Sequence, residues 1–133
     1  MANHIVYPTT EQIIEYNILA LNMIRVKKAD KVEVLSEARI DRVIKECKEA
    51  EGDIYDKAVC LLKGIIQEHA FASGNRRTSF IATKNFVISN KGKFRIKDDP
   101  YYARVMQGIR ENYYDDNEIK EWIKNGKIKE FKR

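Results

Sequence analysis

Between residues 54 and 69 the apolar side chains Ala58, Leu61, Leu62, Ile65 and Ile66 recur at steps of three and four. That period puts them on one face of an α-helix and leaves no alternating face for a sheet. This is the most apolar segment of the chain, so the helix it predicts is the one the others must pack around. Asp53 stands before it as an N-cap, and His69 follows at its C-terminal end on the same side.

The remaining segments repeat the helical period. Thr9 or Thr10 can cap a first helix with Ile13, Ile14, Ile18, Leu21 and Ile24 on one side. Residues 25–34 lose that period and partly alternate, which predicts a loop or a short β-flap. Ser36 opens a second helix carrying Ile40, Val43, Ile44 and Cys47, ending near Gly52. Asn75 opens a fourth, with Phe80, Ile81, Lys84, Val87 and Ile88 on one face, and Asn90-Lys91-Gly92 stops it. Lys93 to Ile96 reads as a short strand that could pair with the flap. Asp99-Pro100 starts a helix running to about Tyr114, and Asn117 caps a last one that Gly126 ends. The expected class is all-α: one compact domain over residues 1–133, about six helices and at most a small hairpin.

With 34% charged residues the surface is well solvated, and no apolar run approaches the roughly 20 residues that span a bilayer. Met1 to Tyr7 lacks the basic-then-apolar order of a secretory signal. Cys47 and Cys60 fall within helical patterns without metal-ligand spacing, so they read as two reduced, buried thiols. These features place the chain in the cytoplasm, with no membrane partner. Net charge is +5, and residues 120–133 hold six Lys or Arg against two Glu. A basic segment over 121–133 can attract nucleic acid or an acidic protein. The simpler reading is a solvated, mobile tail, and the pairs Tyr101-Tyr102 and Tyr113-Tyr114 read as core and rim packing.

The chemistry concentrates in residues 69–77, His-Ala-Phe-Ala-Ser-Gly-Asn-Arg-Arg. His69 is suited to accept a hydroxyl proton near neutral pH. Helix C-terminus and burial pull its pKa in opposite directions, so the residues alone leave the net shift open. Gly74 permits a close backbone approach or a positive φ, which forms an anion-binding nest. Asn75 can cap the new helix or bind an oxyanion. Arg77, with Arg76 beside it, can grip phosphate oxygens at a helix N-terminus. Phe71 should point inward and pin the turn. Taken singly, each has a plain structural role; together they set a proton acceptor against an anion cradle, the arrangement that phosphoryl transfer needs.

The stretch resembles the Fic/Doc core motif, His-x-Phe-x-(Asp/Glu)-(Gly/Ala)-Asn-(Gly/Lys)-Arg. Asp53 to Leu62 leads into it as the family's penultimate core helix does. Arg77-Thr-Ser and Phe86 to Gly92 resemble the family's next helix and its small-residue stop. The similarity is strongest from about 53 to 92 and weak before 35. It implies ATP or another nucleoside triphosphate as substrate, Mg²⁺ at the phosphates, and a protein hydroxyl as acceptor. Fic AMP-transferases have glycine after the asparagine and a second arginine three residues beyond the first. Here Arg76 and Phe80 occupy those places, which is closer to the Doc (death-on-curing) toxins. The resemblance therefore implies phosphate transfer rather than AMP transfer, with a translation GTPase, elongation factor Tu, as the target in Doc. It also implies a toxin restrained by an antitoxin helix, since the Fic inhibitory pattern (Ser/Thr)-x-x-x-Glu-(Gly/Asn) is missing. One position departs: Ser73 stands where the family has its Mg²⁺-binding acid. The competing reading is a Fic-fold binding protein without catalysis, and a third is a small helical nucleic-acid-binding protein.

Overall fold

A computed structural model of the chain describes residues 4–24 and 33–132. The described residues form six helices: α1 (Thr10–Ile24), α2 (Glu37–Glu49), α3 (Ile54–Glu68), α4 (Asn75–Ser89), α5 (Pro100–Arg110) and α6 (Asp116–Asn125). The class is all-α. The apolar α3 is the centre of the bundle, packed by α2, α4, α5 and α6, while α1 lies across α4 and α2. Leu61, Leu62 and Ile66 are fully buried, and each such side chain contributes about 1.5–3 kcal/mol on leaving water. No helix among the described residues is long and apolar enough to cross a membrane.

The helix starts follow side-chain chemistry. Ser36 caps α2, Asp53 caps α3 through a reciprocal box with Asp56, and Asp99 caps α5 ahead of Pro100. At α1 it is Thr9 whose hydroxyl accepts from the Gln12 N–H at 3.1 Å, while the Gln12 side chain accepts from the Thr9 N–H at 2.9 Å. α6 begins two residues earlier than Asn117 suggests. Asp115 is its cap, locked by the side chain of Glu118, and the spacing Asp-x-x-Glu makes the box reciprocal.

Four other expectations change. α5 stops at Arg110, not near Tyr114, because Asn112 turns left-handed (φ 60°) and the Tyr113 N–H bonds Gly108 O at 2.9 Å. That turn buries Tyr114 under the helix it was expected to belong to. On α4, Ile88 is exposed, and the inward face is Ser79, Phe80, Thr83, Phe86 and Val87. Small polar residues let α4 sit close to α3, and the Ser79 hydroxyl donates to Leu62 O at 2.8 Å. Among the described residues, 93–96 form no strand: the Arg95 N–H bonds Ile123 O, and Tyr55 holds Lys93. Of the two free cysteines Cys47 is buried, its thiol pKa pushed up to about 12 chiefly by burial, while Cys60 is only half-buried.

Most of the flap, residues 25–32, lies outside the described residues. Its end is informative. Val34 makes a single antiparallel bridge to Phe71, and the Leu35 N–H bonds Ala70 O at 2.7 Å while the Ala72 N–H bonds Glu33 O at 3.0 Å. The chain entering α2 therefore zips onto the stretch between His69 and Ser73. The C-terminal residues return along α5, where Phe131 is buried beside Gly108 and Tyr114.

Candidate functional site

The site is built where α3 ends and α4 begins. His69 is the C-cap of α3 and turns left-handed, at φ 51°. This reverses the chain and lifts the imidazole out of the core stripe to a half-exposed position, so His69 does not share the inward face of α3. Two residues on, Phe71 is 1% exposed and lies in the core. Gly74 is also left-handed (φ 79°), and a Cβ there would lie 3.1 Å from Leu21 and 3.3 Å from the Asn17 amide. Both the angle and the space call for glycine.

Asn75 is not the cap of α4. Gly74 holds that position, and it supplies no side-chain bond to the first turn. The Asn75 carboxamide turns back into the loop instead: its oxygen accepts from the Phe71 N–H at 3.2 Å and its nitrogen donates to Phe71 O at 2.8 Å. Those two bonds fix which end of the amide is which. The same nitrogen lies 3.3 Å from His69 Nδ1, so Nδ1 accepts and the neutral ring carries its hydrogen on Nε2. Burial is the main force lowering the His69 pKa below its ordinary value, and Arg110 and then Arg39 add to it.

The first helical bond of α4 runs from the Thr78 N–H to Gly74 O at 2.9 Å. The N–H groups of Asn75, Arg76 and Arg77 precede it and have no acceptor within the helix. Arginines in this turn oppose the helix dipole, which favours negative charge there. Uncapped donors together with two cations make this end of α4 fit for an anion. Arg76 is exposed. Arg77 is engaged: its guanidinium forks onto both oxygens of Asp98, donates to the Tyr102 hydroxyl at 3.0 Å, and lies against the rings of Phe80 and Tyr102. The Asp98 pair holds the guanidinium pKa above its ordinary value and lowers that of the carboxylate.

Three residues of this site were not read from the sequence. Asn17, fully buried on α1, donates to Ser73 O at 2.9 Å and to the Thr78 hydroxyl at 3.0 Å, and Thr78 in turn donates to Gly74 O at 2.8 Å. A polar side chain one turn after Ile13, at a core register, was the available signal. Asp98 and Tyr102 gave none, because a capping Asp99 and a helical tyrosine explain that segment locally.

Residues 7–87 match the Fic/DOC family. The chain belongs to the Fic/DOC family. The match begins ahead of α1, where the resemblance read from the motif was weak, and so it includes Asn17. Membership points in general terms to transfer of a nucleotide-derived group to proteins. None of the curated proteins and none of the solved structures compared with the chain matches it.

The family's Mg²⁺ finds poor ligands in the residues present. Ser73 offers a neutral hydroxyl, a far weaker ligand than a carboxylate, and its carbonyl is taken by Asn17. Asp98, the carboxylate brought to the cradle, is committed to Arg77. Among the described residues no three His, Cys, Asp or Glu side chains gather as a ligand set. These donors do not fit a tightly held divalent cation.

Proposed function

We propose that this chain is a Doc-like transferase that moves the γ-phosphoryl group of a nucleoside triphosphate to a hydroxyl of a protein, with a translation factor as the acceptor by analogy. The observation that carries the reading is the uncapped, doubly basic N-terminus of α4 held next to His69 by one asparagine. In the reaction His69 removes the acceptor's proton as its oxygen bonds to the γ-phosphorus. The bond from that phosphorus to the β,γ-bridging oxygen breaks, and the nucleoside diphosphate leaves with the electron pair. A base acting through Nε2 requires the ring hydrogen on Nδ1. That change turns the 3.3 Å contact into two facing donors, which a small turn of the imidazole must relieve, while Asn75 keeps both bonds to Phe71. The backbone N–H groups of the first turn and Arg76 meet the phosphates, which is positioning and charge stabilisation rather than covalent chemistry.

Arg76 and Phe80 favour phosphate over AMP transfer. A long cation stands where AMP-transferases have glycine, and a buried ring stands where they have a second arginine. A cytoplasmic toxin restrained by a separate antitoxin helix belongs to the same reading. Ser73 favours a second one: a Fic-fold protein that binds nucleotide or partner without turnover.

The deciding experiment offers elongation factor Tu and other translation factors to the purified protein with ATP labelled at the α or the γ phosphate. Label arriving from the γ position, and a loss of roughly a hundredfold or more in His69→Ala, is the expected result. Label from the α position would make it an AMP-transferase. Transfer that survives His69→Ala removes the mechanism. No transfer by the wild type, with transfer restored in Ser73→Asp, establishes the binding protein instead.

A further inference from the structure

Arg77 has no exposed N–H left unengaged. A guanidinium carries five. Here two are spent on the oxygens of Asp98, one on the Tyr102 hydroxyl, and one faces the sulfur of Met23 at 3.7 Å. The fifth, on Nε, is buried and finds no partner among the described residues. The side chain of Arg77 is 13% exposed, whereas that of Asp98 is 51% exposed. The immobile member of the pair is thus the cation, and the anion is the member that can leave.

We propose that Asp98 is an internal competitor for the anion site, occupying the Arg77 fork that an incoming phosphate would need. The proposal rests on the reading of the α4 N-terminus as a phosphate cradle. Asp98 lies just before the cap of α5, outside the helix. Its half-exposed carboxylate can be released to water at little desolvation cost, while the stacked guanidinium stays where Phe80 and Tyr102 hold it. A triphosphate brings more charge than a carboxylate and takes up the open N–H groups of α4 as well as the fork, so it can win the exchange. Asp98 thereby sets the affinity of the cradle and keeps weaker anions out of it.

The test is titration calorimetry with inorganic triphosphate and with ATP at fixed ionic strength. The proteins are the wild type, Asp98→Asn, Asp98→Glu and the double variant Asp98→Asn/Arg77→Gln. Asp98→Asn should bind triphosphate about tenfold more tightly than the wild type, as expected for loss of a charge-assisted competitor. Asp98→Glu, which keeps the competing charge, should show no such gain, and the gain should vanish in the double variant. If Asp98→Asn binds no tighter than the wild type, Asp98 is only an architectural tie and the proposal fails, with the cradle intact. A gain that persists without Arg77 reflects net charge alone and equally ends the idea. If none of the four proteins binds triphosphate or ATP, the phosphate-cradle reading falls, and this proposal with it.

Discussion

At the residue scale the site turns on how His69 is kept neutral. Its imidazole stands over the end of α3, where the dipole favours a cation. Burial, Arg110 and Arg39 outweigh that and lower its pKa. An unfolded histidine titrates near about pH 6.5. The folded protein therefore holds fewer protons than the unfolded chain around that pH. The associated stability is fully present above about pH 6.5 and is lost as pH falls through the lower folded value. The same shift keeps the base competent into mildly acidic solution. Replacing Arg110 by Gln removes one of the repelling charges, so the His69 ring should titrate at higher pH and the acidic limb of transfer activity should move with it. Proton NMR of the two histidines, assigned with His69→Ala, reads this directly. An unchanged midpoint in Arg110→Gln would mean that Arg110 adds nothing to the shift beyond burial and Arg39.

At the scale of elements the site is a joint among three helices and a bridge. α3 delivers His69, α4 delivers the N–H groups and arginines, and α1 holds the turn between them through Asn17. Asn17 keeps one uncompensated atom: its oxygen is buried and finds no partner among the described residues, a cost of about 1–3 kcal/mol by itself. Such an expense inside an apolar face makes sense only if the amide's two donated bonds are needed where they are. Asn17→Ala should lower stability by about 2 kcal/mol, the lost bonds and cavity being partly offset by removal of the unpaired oxygen. Urea unfolding with an unchanged slope would report it; stability equal to the wild type would show that the turn holds itself. The Val34–Phe71 bridge adds a fourth fastening, tying the end of the flap to the loop.

At the scale of the whole molecule, α3 is buried on most sides and the other helices are arranged around it. The C-terminal residues complete this arrangement. Phe131 is 3% exposed, its carbonyl accepts from Arg104 at 3.0 Å, and the Tyr114 hydroxyl donates to Lys129 O at 2.9 Å. Gly108 leaves the room: a Cβ there would stand 2.5 Å from the Tyr114 ring and 3.1 Å from Phe131. Phe131→Ala should cost about 3 kcal/mol, the usual cost of emptying an aromatic site. Thermal unfolding measures it, and a change below one third of that would show the terminal segment contributes little to the core.

What the sequence determined by itself were the features that depend on neighbours along the chain. Periods of three and four placed the helices, Asp53 and Ser36 marked starts, Gly126 marked an end, and the run from His69 to Arg77 identified the family. Short-range chemistry suffices for these, because a cap or an amphipathic stripe is defined within one or two turns. At α6 the cap is Asp115 and not the expected Asn117, because Glu118 three residues on can return the bond, whereas Lys120 three residues after Asn117 cannot. Only the tertiary structure decided the rest: that Asn75 orders the loop instead of capping a helix, that Asn17 sits beneath Ser73, and that Asp98 reaches Arg77. The last two join residues far apart in the chain, and the first settles between two local roles for one amide; no spacing along the chain encodes which polar groups will be left without water when helices pack. Burial selects those partners, because a polar group shut in without one loses the bonds it had to solvent.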